Sequence, residues 1–166
     1  MAVQENTDGR TLPSIHRSAC VAIVDSAHAR LYAYHATQHR LDETLDLVNA
    51  GHDEQFSTTK PGDRWQRGGR GSTDDHRDAH VTEHDARFAK RVIDEVVRLV
   101  LAQGAERAIL IANPKMLGLL RHAEPPLRAD GVEVVEVAQD LAWMSSAQVH
   151  DHLAALHLIG PRTRTS

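Results

Sequence analysis

Residues 108–121 read Ala-Ile-Leu-Ile-Ala-Asn-Pro-Lys-Met-Leu-Gly-Leu-Leu-Arg, and the order of signals within them decides the fold. Ala108 to Ala112 form an apolar run with no polar break, as in a strand covered on both faces. Asn113 then offers a side-chain oxygen to the first free amides of a helix. Pro114 suits the first helical position, where its missing N–H is not needed. The helix is expected to run through Arg121, and Pro125-Pro126 forbid its continuation. A buried strand leading directly into a capped helix is a building unit of α/β proteins.

Upstream of this unit, Phe88, Val92, Val96, Leu99 and Val100 recur at helical spacing. Thr82 followed by Glu83 and Asp85 predicts the start of that helix, and Gly104 its end. Ala19 to Val24 are again continuously apolar and predict a second buried strand. Asp25-Ser26-Ala27-His28 interrupt the run, with Asp25 expected as a turn residue. A strand is expected from Arg30 to His35 and a weaker one from Thr44 to Ala50, with Leu45, Leu47 and Asn49 on one side. The short breaks between these three strands favour an antiparallel meander.

Downstream, Val132 to Val137 predict a fifth strand, and Ser145 or Ser146 caps a last helix reaching about Leu158. The element order is β-β-β-α-β-α-β-α. Right-handed crossovers place the first, fourth and fifth strands parallel in a mixed five-stranded sheet. That is the element order of the ribonuclease-H-like fold. A single α/β domain is expected over residues 18–159, with flexible tails at 1–17 and 160–166.

The 51–81 segment interrupts this regularity as a long loop. From Ser57 to His80 only Trp65 and Ala79 are apolar, and Pro61, Gly62, Gly68, Gly69 and Gly71 break it up. Connections of this length inside a compact domain are functional loops or disordered ones. Between Lys60 and Arg70 four cations (Lys60, Arg64, Arg67, Arg70) meet one anion, Asp63. Arginines pair bidentately with phosphates, Gly68 and Gly69 let backbone amides approach closely, and Trp65 offers a stacking face. This set suits single-stranded or irregular RNA, against the plainer reading of a solvated linker. The formal net charge of −4 gives no global attraction to nucleic acid, so any such contact must be local.

Other chemistries have weaker support. A two-metal nuclease needs a cluster of carboxylates, yet the fourth strand ends at Asn113, a neutral amide. Asp94 and Glu95 fall on the outward stripe of their helix. His76, His80 and His84 recur every four residues beside Asp74, Asp75 and Asp78. They would make a zinc or nickel set if the helix began early, but the Thr82 cap places its start later. Lys115 and Arg121 near the mouth of the fourth strand are candidates for anion binding. No catalytic constellation, phosphate loop or dinucleotide fingerprint is present, so no cofactor is expected. The lone Cys20, inside an apolar run, fits a reducing compartment. The polar, acidic first ten residues do not read as a secretory signal, and no stretch is long and apolar enough for a membrane span. A cytoplasmic protein is expected.

Several segments together resemble the bacterial host-attachment protein family, small proteins required for attachment to host cells. They are Val21 to Leu31, Lys60-Pro61-Gly62, Glu83-His84, Arg87-Phe88-Ala89, Ile111 to Arg121, Pro126-Leu127-Arg128 and Asp140-Leu141. That family looks in turn like the middle domain of archaeo-eukaryotic-type peptide-chain release factors, a ribonuclease-H-like domain. In those factors a loop before the first helix carries Gly-Gly-Gln into the ribosomal peptidyl-transferase centre. Here the loop reads Trp65-Gln66-Arg67-Gly68-Gly69-Arg70-Gly71, with the two glycines but not the glutamine. Arg70 has donors and no acceptor, so it does not replace the group that helps position hydrolytic water. The resemblance therefore implies a non-enzymatic factor that binds RNA or the ribosome through Lys60, Arg64, Trp65, Arg67, Gly68, Gly69 and Arg70. A protein-interaction role in host or surface attachment is the second expectation, and hydrolysis of peptidyl-tRNA or another ester the third.

Overall fold

The computed structural model describes residues 17–50 and 73–163, with only the helical backbone described for 73–82. Five strands, β1 (Ala19–Val24), β2 (His28–His35), β3 (Arg40–Val48), β4 (Arg107–Ala112) and β5 (Glu133–Ala138), form one sheet in the order β3-β2-β1-β4-β5. β1 is antiparallel to β2 and β2 to β3, whereas β4 is parallel to both β1 and β5. The helices are α1 (Thr73–Gln103), α2 (Pro114–Ala123), α3 (Pro125–Ala129) and α4 (Ser146–Ala155). The expected meander, parallel half and mixed α/β sheet are all present.

Strand periodicity divides the core into two layers. Cys20, Ala22 and Val24 of β1 join Ala108, Leu110 and Ala112 of β4 under α1, α2 and α3. Ala19, Val21 and Ile23 join Ile109 and Ile111 under α4, where Val149 and Leu153 cover them. Because both faces are covered, these strands read as unbroken apolar runs. Cys20 is 1% exposed, and burial pushes its thiol up to about 12. Only the thiolate is reactive. A thiol reagent at pH 8 should therefore label the native protein only as fast as unfolding exposes β1. Labelling at the rate of a free thiol would show that this central strand opens readily.

Local chemistry explains the helix starts. The Asn113 side chain accepts from the Met116 amide at 2.9 Å, with Pro114 in the first turn. Ser145 and Gln148 form a reciprocal capping box at the start of α4. Pro125 ends α2 and opens the short α3, because it cannot continue one helix but fits the first turn of the next.

Three expectations need correction. α1 begins at Thr73, nine residues before the Thr82 cap. Thr73 with Asp74 and Asp75 is itself a hydroxyl-then-acid start, and nothing between 73 and 82 breaks a helix. The loop expected over 51–81 is shortened accordingly. β3 begins at Arg40 rather than Thr44, because the β2–β3 register shifts at Leu31/Tyr32 and leaves Thr44 unpaired. That bulge turns Leu41 to the α4 face and Leu45 and Leu47 to the α1 face, so one strand has two alternation phases.

Residues 160–163, part of the tail expected to be loose over 160–166, bond to the body, and residues 164–166 lie outside the described residues. The Gly160 amide donates to the buried Tyr34 hydroxyl at 2.8 Å, and its carbonyl lies 2.8 Å from His150 Nε2. Arg162 is bidentate on Asp151, and the Thr163 hydroxyl reaches the Gln38 carbonyl. A Cβ at Gly160 would lie 2.1 Å from His39 Nδ1 and 2.9 Å from the Tyr34 hydroxyl, so glycine permits this approach.

Candidate functional site

The carboxyl ends of β1, β3, β4 and β5 lie along one edge of the sheet, where ligands bind in open α/β folds. Two arrangements occupy that edge, one on each face.

The first is a staple at the end of β3. Asn49 is buried, and its Nδ2 donates to the Ser26 carbonyl at 2.8 Å and to Asp85 Oδ1 of α1 at 3.2 Å. Its own amide donates to the Ala27 carbonyl. Arg91 adds a bond from α1 to the Val48 carbonyl. The β1–β2 turn, the end of β3 and the body of α1 are thus locked together. The chain leaves β3 at this point, and Asp85 is the first buried residue of α1 among those whose side chains are described. The proposed RNA-binding residues Lys60, Arg64, Trp65, Arg67, Gly68, Gly69 and Arg70 lie outside the described residues.

The second is a cleft of about 200 Å³ on the α4 face, lined by Ile23, Asp25, His28, Arg30, Asp46 and Ala142. Register produces it. Ile23, Arg30 and Asp46 stand side by side across β1, β2 and β3, and Asp25 and His28 come from the adjoining turn. Asp25 is the turn residue expected, its Oδ1 accepting from the Ala27 and His28 amides at 2.7 and 2.6 Å. Arg30 reaches over the sheet. Its Nη2 donates to the Met144 carbonyl at 2.7 Å and approaches that of Ala142 at 3.3 Å, while its guanidinium carbon sits 5.8 Å from the Tyr32 ring centroid. The 139–145 segment is thereby clamped, with Trp143 Nε1 donating to the Asp140 carbonyl. Trp143 remains 71% exposed. The Tyr32 hydroxyl is buried without a geometrically complete hydrogen bond among the described residues. Burial raises its pKa, and nearby Ser146 works in the opposite direction.

The weaker candidates are placed as follows. Lys115 is exposed in the first turn of α2, whereas Arg121 lies two turns on. Arg121 is bidentate on Glu136, holding that carboxyl below its usual range. The two cations do not converge on one anion. His76, His80 and His84 all fall within α1, at spacing that shares one side of the helix, because α1 starts early. The side chains of His76 and His80 lie outside the described residues. Among the described residues no group of three or more His, Cys, Asp or Glu could hold a metal ion. Asn113, at the position where a two-metal nuclease needs charge, is engaged in capping α2. Sequence reasoning missed the cleft, because its lining converges only through strand register.

Fold and edge together define a small α/β domain with a mixed five-stranded sheet and a cleft at the strand ends. The family model described as "Protein required for attachment to host cells" matches residues 20–153, and the chain belongs to that family. No curated protein matches it. Among solved structures, the type II variant of the Aquifex aeolicus Ppx/GppA phosphatase is 13% identical with a TM-score of 0.37. The match covers 73% of this chain, which spans 35% of that one. No helix among the described residues is long and apolar enough to cross a membrane.

Proposed function

We propose that this member of the host-attachment family is a non-enzymatic cytoplasmic factor that binds RNA, the ribosome in particular. Contact is made through Lys60, Arg64, Trp65, Arg67, Gly68, Gly69 and Arg70. The observation that supports this reading best is the Asn49–Asp85 bond, which holds the chain against α1 two residues before the 51–72 segment begins. The segment's charge, four cations to one anion between Lys60 and Arg70, is of the sign that phosphate contacts require. The strand order β3-β2-β1-β4-β5 is consistent with a ribonuclease-H-like fold and with kinship to release-factor middle domains. The missing glutamine after Gly68-Gly69 favours docking over hydrolysis. The family description favours a second reading, a protein contact in attachment.

The discriminating measurement is co-sedimentation with ribosomes from low-salt lysate. The parent should pellet with ribosomes and detach as salt rises. Arg64, Arg67 and Arg70 changed together to Ala should abolish pelleting with little change in melting temperature. A triple variant that pellets like the parent overturns the assignment. Capture of a single protein without RNA would favour the second reading.

A further inference from the structure

We propose that the α4-face cleft is a docking pocket for one arginine side chain of a protein partner. Asp25 and Asp46 would pair its guanidinium, with Trp143 as the flanking aromatic contact. The pocket is independent of the RNA reading, which concerns the 51–72 segment.

Size narrows the occupant first. A cleft of about 200 Å³ is far larger than the ~15 Å³ that admits one water and smaller than the ~300 Å³ where small-molecule pockets begin. One long side chain fits that range better than a nucleotide.

Charge narrows it further. Asp25 engages Oδ1 with the turn amides, and its Oδ2 has no partner among the described residues. Asp46 forms no hydrogen bond or ion pair among the described residues, although it is the cross-strand neighbour of Arg30. Arg30 also lines the cleft but forms no ion pair with either carboxylate, its guanidinium being turned to the Met144 and Ala142 carbonyls and the Tyr32 ring, so the lining carries two negative charges to one positive. The cleft therefore presents two carboxylates whose remaining oxygens suit a planar fork of N–H donors, the geometry in which arginine exceeds lysine.

The neighbouring surface fits the same partner. Trp143 follows Ala142 of the lining, is 71% exposed, and is held in place by its bond to the Asp140 carbonyl and by the Arg30 clamp on its segment. An exposed tryptophan one residue along the chain from the lining offers a ring face of the kind that recognises cations. Trp and Arg are also the residues that dominate protein interfaces.

The test titrates the full-length ¹⁵N-labelled chain with the capped tripeptide acetyl-Gly-Arg-Gly-amide, following the Trp143 indole N–H (assigned by its loss in Trp143→Phe). A saturable shift is expected, weakening as salt rises. Asp46→Asn should weaken binding roughly tenfold, as loss of one charge-assisted contact does, and Asp25→Asn with Asp46→Asn should remove saturation. Both substitutions leave the fold in place, since Asp46 is exposed and an asparagine at 25 still accepts the turn amides; an unchanged amide spectrum checks this. The Arg64, Arg67 and Arg70 triple variant should bind the tripeptide like the parent, so failure of the RNA reading leaves this one standing. A non-saturating shift, equal binding of the neutral citrulline tripeptide, or full binding by the double variant overturns the proposal.

Discussion

Replacing Arg107 with methionine should cost the fold about 2–4 kcal/mol, the range expected when two part-buried carbonyls lose their donors. Arg107 is 0% exposed at the start of β4, on the α4 face. Its Nη1 donates to the Leu158 carbonyl and its Nη2 to the Arg17 carbonyl, both at 2.9 Å. Burial lowers its pKa, and the nearby Glu133 opposes the shift. One guanidinium thus joins the chain before β1 to the chain after α4 across the middle of the sheet. Methionine fills the stem volume but offers no donor, so both carbonyls lose their partner in a part-buried setting. Arg107→Lys should lose less, because one ammonium serves one carbonyl well and does not span both. Urea unfolding measures the difference. A methionine variant as stable as the parent would mean that the two carbonyls find other donors.

The second large effect is expected at Asn49→Asp, and it carries a pH signature. Asn49 and Asp85 are 6% and 4% exposed and share a hydrogen bond, so an aspartate at 49 places two carboxyls together away from water. Like charge and desolvation both raise the pKa of the new carboxyl in the folded state above its unfolded value of about 3.9. Between those two values the folded chain holds a proton that the unfolded chain has released, so stability falls as pH rises. The deficit against the parent should be small near pH 4, where one proton bridges the pair. It should grow by about 1.4 kcal/mol per pH unit until the folded pKa is passed. Paired unfolding curves at pH 4 and pH 7 read it directly. A pH-independent deficit would show that the staple is open to water. Because the same bond holds the chain just before the 51–72 segment, this variant should also pellet less with ribosomes at pH 7.

Every regular element except the short α3, where Pro125-Pro126 signal only a stop, was legible as a local signal: apolar runs for β1 and β4, helical spacing from Phe88 to Val100, the Asn113-Pro114 start and the serine caps of α4. These depend on neighbours within a few residues, and binary pattern and capping report them. Element boundaries were less legible where two local signals competed. Thr82 and Thr73 both head acidic turns, and the helix starts at the earlier of the two. Thr44 breaks the alternation of β3, so the bulge hid the first half of that strand.

What the chain determined by itself was the five strands and three longer helices, their order, and a cationic, glycine-rich segment between β3 and α1. What tertiary structure alone decided was convergence. Asp25, Arg30 and Asp46 meet because three strands align in one register, Asn49 meets Asp85 across 36 residues, and Arg107 joins the carbonyls of residues 17 and 158. Periodicity assigns a face to each of these residues. Only the pairing of distant strands assigns the neighbour, and buried polar groups then have to find each other because water is not there to satisfy them.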